Sequence, residues 1–72
     1  MDIEIGEIQK NSASKIKVAI REYKGRQFVD VRTFFQNEAG EEIITKKGIT
    51  LSPDKITELI RLLSEARIKG RS

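Results

Sequence analysis

Lys17, Arg21 and Tyr23 stand at even spacings, which on a β-strand puts two cations and a flat ring on one face. Lys15 shares that parity, and Lys24 and Arg26 flank Gly25 directly afterwards. Arg32, Phe34 and Phe35 follow on the next extended stretch, and Lys46-Lys47 precedes Gly48 further on. Phosphates attract Lys and Arg, while unstacked bases lie against aromatic or guanidinium planes, a contact worth ~1–3 kcal/mol per base. Cations interleaved with aromatic rings are therefore the parts of a surface for single-stranded nucleic acid. Plainer readings stand beside this one. A basic strand can be a solvated face, Phe34 and Phe35 can belong to the core, and a hairpin tyrosine can simply pack.

Charge is distributed unevenly along the chain. Its 72 residues carry a formal net charge of +3. Residues 1–14 hold Asp2, Glu4 and Glu7 against Lys10, a net of −2, whereas residues 15–26 hold five cations against Glu22, a net of +4. A second copy of the chain would double that patch, and surface potential follows local density more than total charge.

Catalysis is poorly provided for. With no histidine and no cysteine, the usual neutral-pH base, the thiolate nucleophile and the commonest transition-metal ligands are all missing. Glu41 and Glu42 are adjacent, so on a strand they point to opposite faces. Gly25, Gly40 and Gly48 make no phosphate-binding fingerprint. The expectation is a binding module rather than an enzyme, with no cofactor and no metal.

The elements that must position these residues follow from periodicity. Ile3, Ile5 and Ile8 read as a first strand whose alternation slips at Gly6-Glu7, and Asn11 to Ser14 is a polar loop. Ile16, Val18 and Ile20 alternate with Lys17, Ala19 and Arg21 in a second strand, closed by a turn at Tyr23 to Arg26. Residues 27–36 form a third strand with aromatics at both parities, so periodicity leaves open which ring is buried. Asn37 to Gly40 turns the chain, and Glu41 to Lys47 reads as a fourth strand ended by Gly48. Ser52 as N-cap, Pro53 at the first helical position and Asp54 against the helix dipole announce a helix. Ile56, Leu59, Ile60, Leu63 and Ala66 then recur at helical spacing. Residues 68–72 read as a frayed basic tail.

The order is thus β-β-β-β-α in a single α+β domain over residues 1–72. A chain this short buries only about 60% of the surface its unfolded form exposes. A lone core of this size rarely supplies more than ~3–5 kcal/mol. Without disulfide or metal, self-association is the remedy left. The stripe Leu59, Ile60, Leu62, Leu63 and Ala66 is wider than one sheet face requires, so a homodimer is expected through it. The acidic start is no signal peptide, and no stretch approaches the roughly 18 apolar residues of a membrane span. A soluble protein is expected: cytoplasmic and nucleoid-associated in a bacterium or phage, nuclear in a eukaryote.

Three blocks carry a family resemblance: Ile20 to Arg26, Val29 to Arg32, and Lys46-Lys47-Gly48-Ile49-Thr50-Leu51-Ser52-Pro53. Together they resemble the transcriptional positive cofactor 4 family, within a wider Whirly-like grouping of single-stranded DNA-binding folds, over roughly residues 3–64. The resemblance implies a four-stranded antiparallel curved sheet followed by one C-terminal helix, dimerising through the helices, with single-stranded or melted DNA held along the two sheets. Carried over by position, it implies DNA contacts from Arg21, Tyr23, Lys24, Arg26, Arg32, Phe35, Lys46 and Lys47. Tyr23 and Phe35 would stack bases, and the cations would hold phosphates. Lys15 and Lys17 join the expected nucleic-acid-binding set from the charge pattern.

The chain also departs from the family pattern. Ile43-Ile44 stands where relatives often carry a basic residue and a proline, Phe35 where they often carry tryptophan, and Ile56 where an aromatic is common. No serine-rich acidic extension accompanies the domain, which favours the compact bacterial or phage type. The function expected is sequence-tolerant binding of single-stranded DNA, in transcription regulation or genome maintenance. Two alternatives stay open: an RNA-binding or RNA-chaperone module, and a coactivator module that recruits polymerase or repair proteins.

Overall fold

Four strands run in sequence order into one antiparallel meander, and a helix follows. The computed structural model describes residues 2–70. The strands are β1 (Ile3–Gln9), β2 (Ser14–Tyr23), β3 (Arg26–Gln36) and β4 (Glu42–Leu51), and the helix α1 spans Pro53–Lys69. No helix among the described residues is long and apolar enough to cross a membrane.

The central hairpin is the most regular part. β2 and β3 pair without interruption from Ser14↔Phe35 to Tyr23↔Arg26. Their loop is the two-residue Lys24-Gly25, with φ of 53° and 78°. Positive φ at both central positions is the type I′ geometry, whose twist matches the right-handed twist of the flanking strands. Gly25 adopts it freely, whereas Lys24 adopts it because the ladder on either side demands it. At the next turn Asn37 Oδ1 accepts from the Glu41 amide (2.9 Å), and Gly40 takes a φ of 82°.

Two irregularities differ from the expected pattern. On β1 the register shifts between Glu4 and Gly6, one residue earlier than the slip read from alternation, which leaves Ile5 as the extra residue. On β4 the ladder passes from Phe34↔Ile44 to Arg32↔Gly48, so Thr45, Lys46 and Lys47 together face Thr33 alone. The Thr45 hydroxyl locks this bulge by donating to the Thr33 carbonyl (2.7 Å) and accepting from the Lys47 amide (3.2 Å). Gly48 consequently does not end the strand. Pairing resumes there and continues to Val29↔Leu51.

The helix begins where expected. Ser52 occupies the N-cap position, but its side chain makes no capping hydrogen bond; its backbone carbonyl accepts from the Lys55 amide (3.0 Å). Its hydroxyl instead holds the Asp54 carboxyl below its ordinary value. The helix runs through Lys69, two residues into the stretch expected to fray, and the Gly70 amide donates to Ala66 O (2.7 Å). Helical spacing simply persists through Ile68 and Lys69, while Arg71 and Ser72 lie outside the described residues.

Little is sealed from solvent. Ala19 (2% exposed) and Asp30 (3%) are the buried residues among those described, and α1 buries none of its own. The radius of gyration is 14.0 Å, against the roughly 11 Å of a compact domain of this length. One chain is therefore a sheet with a helix laid against β3, most of its large aliphatic side chains only partly covered.

Candidate nucleic-acid interface

Residues directly opposed on antiparallel strands share a face. The β2–β3 register therefore assigns Lys15, Lys17, Ala19, Arg21 and Tyr23 to one face, together with Phe34, Arg32, Asp30, Phe28 and Arg26. Ile16, Val18 and Ile20 lie on the other face with Thr33, Val31 and Val29. The first face unites five of the expected cations with Tyr23. It does not include Phe35. That residue pairs with Ser14 and Ile43 on the opposite, apolar face, where it is 42% exposed. Of the neighbouring pair, Phe34 is the one on the cationic side, half-buried, with Lys17 Nζ 4.7 Å from its ring centroid. Only one of two neighbouring residues can face a given side of a strand, and the unbroken β2–β3 ladder selects Phe34.

At the centre of this face lies a residue that the cation pattern does not flag. Asp30 sits opposite Ala19, whose methyl group leaves room above the sheet for the carboxylate. Arg21 Nε donates to Asp30 Oδ2 (3.3 Å), and Arg32 donates to Oδ1 through Nε (3.2 Å) and Nη2 (3.0 Å). Arg32 Nη1 also donates to the Thr45 carbonyl at the bulge (3.2 Å), tying β4 into the cluster. Two guanidinium groups converge on one buried carboxylate, which is how a buried charge is ordinarily satisfied. Asp30 first, and then Asp2 (3.2 Å from Arg21 Nη1), raise the Arg21 pKa above its ordinary value. A carboxylate at the same parity as the cations and opposite a small residue is the signal that identifies Asp30.

A second cluster lies nearer the far end of β2. Glu42 opens β4 and spreads its two oxygens over two lysines, Oε1 at 2.6 Å from Lys17 Nζ and Oε2 at 3.7 Å from Lys15 Nζ. Lys15 also pairs with Glu7 (3.6 Å). The hydrogen bond from Lys17 is the main cause that holds the Glu42 carboxyl below its ordinary range, and the same bond raises Lys17.

The remaining cations are disposed differently. Lys24, Arg26, Lys46 and Lys47 are exposed and form no ion pair among the described residues. Lys24 Nζ lies 5.3 Å from the Tyr23 ring centroid, and Tyr23 is 66% exposed. The hairpin tip thus offers an open aromatic plane with two open cations. The centre of the face offers arginines held in fixed positions, and the far end offers lysines already engaged by a carboxylate.

On α1, Leu59 is half-buried, Ile60, Leu62 and Leu63 are 58%, 52% and 59% exposed, and Ala66 is also exposed. Ile60, Leu63, Ser64 and Arg67 line a shallow hollow along the helix.

The family model described as Transcriptional Coactivator p15 (PC4) matches residues 10–62. Two crystal forms of a PC4 homologue from Burkholderia pseudomallei superimpose on this chain. The tetragonal form gives a TM-score of 0.84 at 30% identity, covering 93% of this chain and 98% of the homologue. The orthorhombic form gives 0.85 at 31% identity, covering 93% and 90%. A bacteriophage T5 homologue of the eukaryotic coactivator PC4, implicated in recombination-dependent DNA replication, shares the fold with a TM-score of 0.62 at 16% identity, covering 93% and 75%.

Proposed function

Since the chain belongs to the Transcriptional Coactivator p15 (PC4) family, we propose that it binds single-stranded DNA with little sequence preference, as a homodimer, in transcription or genome maintenance. One observation carries this reading: the hairpin tip presents an exposed Tyr23 ring flanked by the exposed cations Lys24 and Arg26, contiguous with Arg21, Arg32, Lys17 and Lys15 on the same face. A ring in that position stacks a base of any identity, because every base has a π-face, and the cations neutralise the adjoining phosphates. Lys46 and Lys47, held out by the locked bulge, extend the phosphate track. Phe35 has no stacking role in this reading.

Dimerisation rests on the uncovered apolar surface. Ile60, Leu62 and Leu63 form an exposed helical stripe in a chain that buries only Ala19 and Asp30 among its described residues. Closing two such stripes on one another would supply the missing core and set two basic faces in one particle.

A second reading has its own support. Phe35 and Ile43 form a cross-strand pair on the apolar face, 42% and 44% exposed, and paired aromatic and aliphatic groups of this kind anchor protein partners. Recruitment of transcription or repair proteins would use that face and leave the basic one free. RNA in place of DNA remains the nearer variant, decided by competition between matched strands, because only the 2′-hydroxyl separates them.

The test is a titration with single- and double-stranded oligonucleotides at two salt concentrations. Four to six phosphate contacts give a slope of log K against log[salt] of roughly −3 to −4, at about 0.7 per phosphate. Tyr23→Ala is expected to weaken binding by ~1–3 kcal/mol while leaving the melting temperature in place. Salt-insensitive affinity, or a melting temperature that falls in step with the binding, refutes the reading.

A further inference from the structure

We infer that Glu42 is an internal anion seated in a phosphate subsite formed by Lys15 and Lys17, so that a bound strand reaches these lysines only by displacing its carboxylate. The inference rests on the single-strand reading above and adds to it a residue that tunes affinity.

The geometry is that of an occupied anion site. The two carboxylate oxygens divide between two ammonium groups, one at 2.6 Å and one at 3.7 Å, as two oxygens of a phosphate would. The carboxylate makes no other polar contact among the described residues. Access points the same way. The Lys17 side chain is 15% exposed and that of Glu42 is 39% exposed, so the carboxylate lies on the solvent side of the ammonium it binds. The Phe34 ring, 4.7 Å from Lys17 Nζ, walls the site beneath and keeps the ammonium at the position Glu42 now satisfies. Glu42 is also placed to leave. It is the first residue of β4, directly after the turn at residues 37–41, so its side chain can swing outward without breaking the ladder between Arg32 and Gly48.

A consequence follows for ion release. The ions released on binding are the cations condensed on the strand, and a carboxylate displaced from Lys15 and Lys17 takes up a cation in its turn, so a phosphate that replaces it gains little net release. Glu7 partners Lys15 as well, so loss of Glu42 frees about one net positive charge. One further neutralised phosphate steepens the salt slope by about 0.7 and, over the tenfold interval from about 1 M down to about 0.1 M salt, multiplies affinity about fivefold.

The experiment measures the affinity of the full chain for a single-stranded oligonucleotide across that salt range, for the wild type, Glu42→Gln, Lys17→Ala and Glu38→Gln. Glu38 is an exposed turn residue with no ion pair among those described, and it controls for net charge. Glu42→Gln is expected to bind about fivefold tighter near 0.1 M salt, with the advantage vanishing near 1 M, while Glu38→Gln changes affinity far less. Unchanged or weaker binding by Glu42→Gln, with Lys17→Ala still impaired, overturns the inference and leaves the single-strand reading intact. An equal gain in Glu38→Gln also overturns it, by reducing the effect to net charge. Failure of every form, wild type included, to bind the oligonucleotide sinks both. Should Glu42→Gln not fold, Glu42→Asp carries the same test, because the shorter side chain withdraws the carboxylate from Lys17 and tighter binding is again expected.

Discussion

Replacing Asp30 by asparagine probes the point on which the basic face is built. The change keeps the size of the side chain and removes its charge, leaving the Arg21 and Arg32 guanidiniums facing an amide that offers one acceptor and two donors. Removing one partner from a buried ion pair costs about 3–5 kcal/mol when the surviving charge stays sealed in. Here the Asp30 side chain is 5% exposed but those of Arg21 and Arg32 are 30% and 20% exposed, so both guanidiniums can recover some water. A loss of about 2–3 kcal/mol is the consistent figure. In a domain of 60–100 residues each kcal/mol moves the melting temperature by about 4–8 °C, which places the expected fall at roughly 10–20 °C. Thermal melts followed by circular dichroism at one fixed protein concentration make the measurement, since melting of a dimer shifts with concentration. Asp2→Asn is the control: Asp2 contacts the same Arg21, but its side chain is 58% exposed, and a change of no more than about 3 °C is expected. An Asp30→Asn melting point within about 3 °C of the wild type would refute the reasoning, because it would mean that the arginines do not depend on the buried carboxylate.

Gly48→Ala is expected to destabilise by about 1–3 kcal/mol, because its Cβ would stand 2.5 Å from Val31 O and 2.9 Å from Arg32 Cα, backbone atoms that cannot yield without opening the ladder. Gly6→Ala, where an added Cβ meets nothing within 4 Å, is the matched comparison and should leave the denaturation midpoint unchanged or slightly higher. Leu62→Glu sets a charge in the exposed helical stripe and should yield monomer or unfolded chain in sedimentation at micromolar concentration; an intact dimer would exclude that stripe as the interface. The Lys17–Glu42 pair gives a pH signature. Glu42 is lowered from 4.5, so its stabilising effect is present above that value and is lost as pH falls through the lowered one. Lys17 is raised from 10.5, so its effect is full below that value and is lost as pH rises through the raised one. Melts of the wild type and Glu42→Gln should therefore differ most between pH 4.5 and 10.5 and converge in acid as pH falls through the lowered Glu42 value, and parallel curves throughout acid would contradict the pairing.

Local sequence determined the elements and their order. Period-two alternation in β2, the Lys24-Gly25 turn, and Pro53 ahead of a 3.6-residue repeat depend on neighbours a few positions apart, and each is legible without knowing what packs where. The same short-range logic placed Lys15, Lys17, Arg21 and Tyr23 on one side of β2. What the tertiary structure decided depends on cross-strand register. Parity within β3 separates Phe34 from Phe35, but only pairing with β2 says which of them lies beside Lys17. Residues 45–47 look like the end of a strand in sequence and prove to be a bulge, because pairing resumes at Gly48 with Arg32, a residue sixteen positions earlier. The partners of the cations belong to the same class: Arg21 meets Asp30 across the hairpin, and Lys17 meets Glu42 across 25 residues. Charge counting along residues 15–26 registers five cations; the fold brings carboxylates onto Lys15, Lys17 and Arg21. The physical reason is that electrostatic pairing depends on distance in space, and in a sheet that distance is set by the ladder and its irregularities rather than by separation along the chain.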